Sequence, residues 1–315
     1  VKLIDQLRVK YFRSVYDLQI KGLEDVIVVS GKNDVGKSNI LKALNLFFNN
    51  QTDWGEPLSF ADDFNLQRLA DVQATIKGKQ YVQVSIRFRR PIEYRQSLPE
   101  TFTVTRTWFR LTTTPTQTDD LSALFNAQRV PATTLHRAQA SLGRFLNSIR
   151  YEYLPAIKDE RFYEYMLEFL QEQILASYAE DPAIAGAVAE IGDAVSTASI
   201  ELKDEFREAT GVDADVNLPR QLRELVRALV VATPVGNEAN MPIRFRGDGI
   251  KSRFLPSMLF YLTKHLPNRF IWGFEEPETS LEYALASKLA SSIEQVYANH
   301  AQILLTSHSP AFYAL

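Results

Sequence analysis

The chain has 315 residues, of which 45% are hydrophobic, a formal net charge of −3 and no cysteine. This length suits one large or two smaller globular domains, and the lack of cysteine excludes a disulfide framework and a thiolate metal site. Because the net charge is slightly negative, bulk electrostatic attraction to a polyanion is excluded, so any nucleic-acid surface must be a local patch. No run of 18 apolar residues is present, so we expect no membrane-spanning helix, no membrane partner and a cytoplasmic location.

The first 30 residues predict three β-strands joined by short polar connections. Apolar and β-branched residues favour strands over 3–12, 16–20 and 25–29. The connections at 13–14 and 21–22 are short enough for antiparallel hairpins, and we predict a hairpin at each of them.

A glycine-rich loop follows the third strand and precedes an amphipathic helical pattern. Residues 31–38 read Gly-Lys-Asn-Asp-Val-Gly-Lys-Ser, which is the G-x-x-x-x-G-K-S pattern of a phosphate-binding loop. The two glycines allow a tight backbone turn, and the loop N–H groups and the helix N-terminus then face an anion. Lys37 supplies a positive charge for the β- and γ-phosphates, and the Ser38 hydroxyl is placed to ligate Mg²⁺. The alternative is an ordinary glycine turn before a helix. The residues that we predict to bind ATP are Gly31, Asn33, Gly36, Lys37, Ser38 and Asn39.

Two strands near 81–89 and 101–112 alternate polar with apolar residues and predict a sheet with one apolar face. This hairpin carries six arginines against only two glutamates, and aromatic residues lie between them. Such a surface could grip the backbone of DNA or RNA. A solvated sheet face or a protein interface is the alternative that we favour. The six arginines are Arg87, Arg89, Arg90, Arg95, Arg106 and Arg110.

From residue 119 to about residue 231 the hydrophobic pattern is mainly helical, and it predicts helices near 121–128, 134–147, 159–179, 184–209 and 218–231. Within this stretch, 149–154 is typical of a strand that returns to the core and stops before Pro155. The loop at 232–240 is the predicted boundary of the insertion. We therefore predict three parts: an N-terminal lobe at 1–118, a mainly helical insertion at 119–236 and a C-terminal lobe at 237–315.

Two buried strands near the end of the sequence deliver chemically active side chains. The run 269–274 ends at Glu275, which could hold the Mg²⁺ shell, and at Glu276, which could orient and deprotonate the attacking water. The run 302–306 ends near His308, whose neutral imidazole could contact the γ-phosphate or that water. The alternatives are an acidic, solvated strand end and a structural histidine.

Together these motifs resemble the ABC-type ATPase heads of the SMC/RecF group. They are most similar to the OLD-like ATPases of bacterial anti-phage defence, of the Septu- and retron-associated type. The order matches: an N-terminal strand that ends at residues 11–14 comes first, followed by residues 31–38 at the Walker A position, 246–251 at the signature, 275–278 at Walker B and the catalytic glutamate, 279–282 at the D-loop and 306–310 at the switch histidine. The resemblance implies an α/β P-loop fold with a mixed sheet, an N-terminal antiparallel β subdomain and a helical insertion.

Two departures from the wider group argue against a transporter domain. The signature is Arg-Gly-Asp-Gly rather than Leu-Ser-Gly-Gly, and the first Walker B acid is Glu275 rather than aspartate. The Q-loop residue stays open among Asp62, Asp63 and Lys158. The resemblance implies that Gly247 and Gly249 contact the γ-phosphate bound to another subunit, so that ATP drives a homodimer or higher oligomer and hydrolysis releases it.

Three functions fit these features. The first is an ATP-hydrolysing switch that controls a nucleic-acid-directed or partner effector, such as a nuclease or toxin, in anti-phage defence. The second is the ATPase part of an OLD-type nuclease whose nuclease domain follows residue 315. The third is an ATP-bound scaffold with little hydrolysis. The first residue is Val1 and the chain stops soon after a strand, so we expect a longer parent protein.

Overall fold

The computed structural model describes residues 2–32, 35–74, 78–112, 114–127, 131–177, 181–200, 204, 207–208, 231–235, 239–313 and 315. The chain divides into two compact units, Val1–Lys158 with Asp248–Leu315, and Asp159–Gly247. Residues 119–158 thus group with the first unit. The three-part division drawn from the sequence stays a prediction.

The described residues form strands and helices that are interspersed along the chain. The strands are β1 Ile4–Phe12, β2 Val15–Lys21, β3 Val26–Ser30, β4 Gln51–Asp53, β5 Glu56–Pro57, β6 Tyr81–Arg89, β7 Thr101–Phe109, β8 Thr116–Asp119, β9 Ile149–Leu154, β10 Ala232–Val235, β11 Ala239–Pro242, β12 Arg269–Glu275 and β13 Ala301–Ser307. The helices are α1 Ser38–Asn49, α2 Phe60–Asp63, α3 Leu66–Gln73, α4 Leu121–Ala127, α5 Ala132–Ser148, α6 Glu160–Ser177, α7 Pro182–Ala198, α8 Asp248–His265 and α9 Tyr283–Gln295.

The first unit holds a five-stranded antiparallel sheet in the order β2-β1-β6-β7-β8. Its apolar face follows the predicted alternation, and in β6 the four apolar residues are fully buried: Val82, Val84, Ile86 and Phe88. The hairpin predicted at 13–14 is confirmed by the antiparallel pairing of β1 with β2. The hairpin predicted at 21–22 is wrong, because β3 leaves this sheet and pairs with β13. The run of β-branched residues in β3 suits a parallel sheet covered on both faces.

The second sheet of this unit is parallel throughout, in the order β3-β13-β12-β9. The predicted α/β P-loop class is confirmed. The sheet that was predicted to be mixed consists of two separate sheets, one antiparallel and one parallel. The strand predicted at 149–154 is also confirmed, as β9 beside β12. Since the four strands run in one direction, their carboxyl ends meet at one edge, where open α/β sheets bind ligands.

Helix α1 contacts both sheets. From the parallel sheet, the Tyr151 hydroxyl donates to the Leu41 carbonyl at 2.9 Å. From the antiparallel sheet, the Arg106 guanidinium donates to the Phe47 carbonyl in the last turn of α1 and lies over the Phe47 ring at 4.8 Å. A cation at a helix C-terminus is favourable, since the carbonyls there carry partial negative charge. Arg106 is thus engaged with α1 instead of lying free on the surface of the hairpin, and its burial lowers its pKa.

A buried glutamine near the start of β13 joins the parallel sheet to the start of β1 in the antiparallel sheet. The Gln302 side-chain oxygen accepts from the N–H groups of Leu3 and Ile4 at 3.1 and 2.7 Å. Its amide donates to the carbonyls of Ile4 and Glu24 at 2.9 and 2.8 Å. All four hydrogen bonds of this fully buried side chain go to backbone, so Gln302 ties β1 to β13 without an unpaired polar atom.

The second unit contains α6, α7 and the hairpin of β10 and β11. Helices were predicted over 159–179 and 184–209, and the structure has α6 and α7 there, while most residues after 198 lie outside the described part of the chain. The helix predicted over 218–231 lies outside it as well, except for residue 231. The predicted loop at 232–240 is instead two short strands that pair with each other. Among the residues that the structure describes, no helix is both long and apolar enough to cross a membrane.

Candidate functional site

The carboxyl ends of three parallel strands surround one cavity. In the parallel sheet, Ser30 lies opposite Ser307 and Thr306 lies opposite Glu275, so the loops that follow these strands are neighbours. The cavity has a volume of about 360 Å³, which falls in the range of ligand pockets. It is lined by Ser14, Gly36, Lys37, Ser38, Asn39, Glu276 and His308. Residues at the two ends of the sequence therefore meet at one site.

The glycine loop has, at its second glycine, a backbone conformation that other residues adopt only with strain. Gly36 has φ +87°, and a Cβ there would lie 2.2 Å from the Ser14 hydroxyl. The Lys37 side chain folds over the loop, where its ammonium donates to the carbonyls of Gly31 and Lys32 at 3.0 and 2.8 Å. Helix α1 then begins at Ser38. The predicted ligand Asn33 lies outside the described residues.

The hairpin between β1 and β2 supplies a wall of the cavity that sequence reasoning missed. The Asn39 side-chain amide donates to the Ser14 hydroxyl at 2.9 Å. Beside it, the Arg13 guanidinium donates to Asp63 at 2.7 Å, and Arg13 has φ +50°. Asp63, one of the three Q-loop candidates, is buried. Its carboxylate is already engaged by Arg13. The available signal was the Phe-Arg-Ser sequence after the first strand.

The acidic strand end faces the glycine loop. Glu276 has φ +45°, and its N–H donates to the Thr306 carbonyl at 3.0 Å. Its carboxylate lies 2.7 Å from Nε2 of His308. Both side chains are about one-third exposed, at 35% and 32%, which leaves the pair open to the cavity. The predicted base and the predicted switch histidine are therefore in contact.

Glu275 contacts a residue of β9. The Tyr153 hydroxyl donates to the Glu275 carboxylate. Burial, with the negative charge of Glu275, raises the pKa of Tyr153 well above its ordinary value, so this hydroxyl remains a donor. The sequence predicted the strand that carries Tyr153 but not its neighbour in the sheet, so this contact was missed.

Lys158 follows β9 and lies among the carboxylates of this edge. Burial lowers its pKa to about 8, against the opposing effect of Glu275, Glu278, Asp248 and Glu276. Asp62, another Q-loop candidate, accepts from the Ser59 hydroxyl at 2.7 Å. Of the three candidates, Lys158 is the one that interacts with the carboxylates of the site.

The two signature glycines are not part of the cavity lining. Gly249 lies in the first turn of α8, where a Cβ would sit 3.0 Å from the Ser280 carbonyl. Gly247 belongs to the second unit. The trans contact predicted for these glycines therefore remains a prediction.

The donors around the cavity fit a magnesium-bound polyphosphate. The Lys37 ammonium carries a full positive charge, and the N-terminus of α1 carries the partial positive charge of the helix dipole. Among the described residues, no cluster of three or more acidic or histidine side chains could hold a metal ion by itself. In nucleotide sites Mg²⁺ takes one or two protein ligands and completes its shell with phosphate and water. Ser38 and Glu275 are the residues that would provide them.

A parallel sheet that brings a phosphate-binding loop, paired glutamates and a histidine to one edge defines an ATP-binding P-loop ATPase domain of the ABC/SMC-like kind. The chain belongs to the AAA_21 family, described as "AAA domain, putative AbiEii toxin, Type IV TA system", whose model matches residues 26–314. It is thus an AAA-type ATPase domain. The finer resemblance to OLD-like and Septu-type ATPases remains a prediction.

Solved structures of SMC heads have a similar fold. An SMC head bound to the C-terminal winged-helix domain of ScpA is 15% identical, with a TM-score of 0.56 over 99% of this chain and 91% of that one. An SMC head with an extended coiled coil, bound to the C-terminal domain of ScpA from Pyrococcus furiosus, gives 15% identity and a TM-score of 0.52 over 99% and 91%. At this identity the likeness shows the fold alone. No curated protein matches the sequence.

Proposed function

We propose that this protein binds ATP with Mg²⁺ and hydrolyses it to ADP and phosphate. We further propose that ATP-dependent dimerisation acts as a switch that controls an effector in anti-phage defence. The observation that carries hydrolysis is the Glu276–His308 pair, which faces Lys37 and Ser38 across one cavity. A base, a positive charge and a metal-ligating hydroxyl around one space are the parts that phosphoryl transfer to water requires.

The first step is capture of the triphosphate by the glycine loop. The Lys37 ammonium now donates to two loop carbonyls, and a short rotation of its flexible chain would bring it to the β- and γ-phosphates. The N–H groups at the start of α1 would donate to the same oxygens. Ser38 and Glu275 would hold Mg²⁺, which neutralises charge on the phosphates, and Tyr153 keeps the Glu275 carboxylate oriented.

The second step is activation of water by Glu276. Its carboxylate would accept the proton of a water that lies between it and the γ-phosphate. His308 contacts Glu276 through Nε2 at 2.7 Å, and donation from this nitrogen would fix the carboxylate. Because a neutral imidazole carries one N–H, the ring would have to turn away from Glu276 in order to donate to the γ-phosphate. Since base and orienting group are already in contact, little rearrangement is needed before reaction.

The resemblance supports a partner protein as the effector. The family description names a putative toxin, and the two SMC heads are bound to domains of ScpA. Direct nucleic-acid binding by the arginine hairpin has less support, because several of its arginines are engaged within the protein. Arg106 donates to Phe47, Arg87 to Thr101 at 2.7 Å and Arg110 to Gln80 at 3.1 Å. We therefore favour a protein effector.

The test of hydrolysis uses Glu276→Gln and Lys37→Ala. Loss of a positioned general base costs about 10²–10⁴-fold in rate, so Glu276→Gln should hydrolyse ATP at least about 100-fold more slowly while still binding it. Lys37→Ala should lose ATP binding. Phosphate release and titration with a fluorescent nucleotide measure the two effects. If Glu276→Gln turns over at the parent rate, Glu276 is not the base, and a parent protein that binds ATP without turnover would favour the scaffold function.

The test of the switch uses Gly249→Arg, which places a large cation at the predicted dimer contact. We expect this variant to fold and to stay monomeric with a non-hydrolysable ATP analogue, whereas the parent dimerises. Gly247→Arg, at the other signature glycine, is measured beside it, because a Cβ at Gly247 meets no atom within 4 Å whereas a Cβ at Gly249 lies 3.0 Å from the Ser280 carbonyl. Gly143→Arg on the exposed face of α5 is the control for a cation added away from the predicted contact. Light scattering with and without the analogue decides the matter. Equal dimer formation by Gly249→Arg and Gly143→Arg would refute the trans contact.

A further inference from the structure

Glu278 lies three residues beyond the end of β12, and a compact turn brings it to the end of β13. The Thr279 N–H donates to the Glu276 carbonyl at 2.9 Å, and the Leu281 N–H donates to the Glu278 carbonyl at 2.8 Å. Glu276 itself has φ +45°. Because the chain reverses here, Glu276 and Glu278 both reach the segment that carries His308.

One oxygen of Glu278 accepts three hydrogen bonds from that segment. They come from the Ser307 hydroxyl at 2.6 Å, the His308 N–H at 2.8 Å and the Ser309 N–H at 3.1 Å. The Ser309 N–H also lies 3.0 Å from the Ser307 hydroxyl oxygen, which closes the turn. Hydrogen bonds to an ionised acceptor are roughly twice as strong as neutral ones, so this carboxylate holds the turn firmly.

The same histidine is contacted by two glutamates from two sides. Glu278 holds the backbone of His308, and Glu276 contacts its imidazole at 2.7 Å. We propose that Glu278 is a positioning residue that keeps the His308 imidazole within hydrogen-bond distance of Glu276. Its effect on turnover rests on the ATP hydrolysis proposed above, whereas its effect on the position of His308 does not.

The second oxygen of Glu278 indicates that the negative charge matters. This oxygen is buried and has no hydrogen-bond partner among the described residues. Such an atom is costly to bury, and a purely structural link could use a neutral amide instead. The charge also acts on Lys158, whose pKa it raises against the effect of burial. Glu278 thus interacts both with the turn that carries His308 and with the ammonium group of Lys158.

The first experiment observes His308 directly and does not depend on ATP turnover. In protein labelled with [¹³Cε1]-histidine, the chain gives four imidazole signals, and His308→Ala assigns one of them. We expect Glu278→Gln and Glu278→Ala to shift the His308 signal, more strongly in Glu278→Ala, and to leave those of His136, His265 and His300 in place. Glu294→Gln removes an exposed glutamate on α9 and should shift none of the four.

The second experiment measures turnover and nucleotide affinity. Glu278→Ala should lower kcat about 100-fold, since a displacement of about 1 Å in a catalytic group costs that much. Glu278→Gln should lose less, because its amide oxygen still accepts hydrogen bonds. The affinity for ATP should change less than about twofold in both. In a His308→Ala background, Glu278→Ala should add no further loss, because the two residues act as a unit.

Two results would overturn the positioning role. One is a His308 signal that does not move in folded Glu278→Gln, with folding checked by circular dichroism. The other is a double variant whose loss is the product of the two single losses. If the parent protein does not hydrolyse ATP, the proposed hydrolysis fails, while the imidazole signals still decide the role of Glu278.

Discussion

Replacement of Gly273 by alanine is expected to destabilise the protein although the added group is one methyl. Gly273 lies in the middle of β12, and a Cβ there would sit 2.0 Å from the Tyr151 hydroxyl oxygen and 2.7 Å from its Cζ. The Tyr151 ring cannot move aside easily, because it is buried and stacks on Phe48 at 5.6 Å with an interplanar angle of 24°.

The expected cost has two parts. Overpacking of a close-packed core costs about 1–3 kcal/mol. Displacement of the hydroxyl also breaks its 2.9 Å hydrogen bond to the Leu41 carbonyl in α1, which costs about 1 kcal/mol. The sum is about 3 kcal/mol, and for a chain of this length it lowers Tm by about 5 °C.

Thermal unfolding and urea titration of the parent and four variants test this reasoning. Gly143→Ala is the matched control, since its Cβ meets nothing within 4 Å, and alanine in the interior of α5 should stabilise by about 0.5–1 kcal/mol. Tyr151→Leu removes both clashing atoms, so in that background Gly273→Ala should cost less than about 1 kcal/mol. An equal cost of Gly273→Ala in the two backgrounds would show that Tyr151 is not the obstacle.

Two further predictions concern the site. Gly36→Ala forces a side chain into φ +87° and against the Ser14 hydroxyl, so the affinity for a fluorescent ATP analogue should fall at least about tenfold. Gly55→Ala carries a similar φ of +74° in open space and should bind like the parent, and unchanged affinity in Gly36→Ala would contradict the prediction. Lys158→Met should be more stable than the parent by about 3 kcal/mol below pH 8, because burial lowers the pKa of Lys158 in the folded protein to about 8, below its ordinary value of 10.5. As the pH rises, the folded parent loses the Lys158 proton before the unfolded parent does, so the stability of the parent should rise relative to that of the variant between pH 8 and 10.5. If urea titrations show a constant difference in stability over this range, the lowered pKa of Lys158 is not the reason for it.

The sequence predicted those parts of the site that are encoded locally. The glycine loop, the apolar strand before it and the amphipathic helix after it are adjacent in sequence, so their pattern predicts both structure and chemistry. The same holds for Glu275 and Glu276 at the end of an apolar run. The alternation in 81–89 predicted which side chains of β6 are buried, because side chains of a strand alternate between its two faces.

Contacts between distant segments could not be predicted in this way. The third strand was expected to follow the second into one sheet, but β3 pairs with β13, which lies near the other end of the chain. Arg106 was expected on an exposed face of its hairpin, yet its guanidinium donates to the Phe47 carbonyl of α1. The alternation of polar and apolar residues along a strand shows that its two faces differ. It does not identify which element packs on each face.

The sequence alone determined that this chain carries a phosphate-binding loop and two strands that end in acid and histidine, because these are short stretches whose chemistry is local. Only the tertiary structure decided that Tyr153 contacts Glu275 and that Glu278 holds the turn of His308. The order of strands in the parallel sheet sets these contacts. That order depends on how remote apolar segments pack together, which no single stretch of residues specifies.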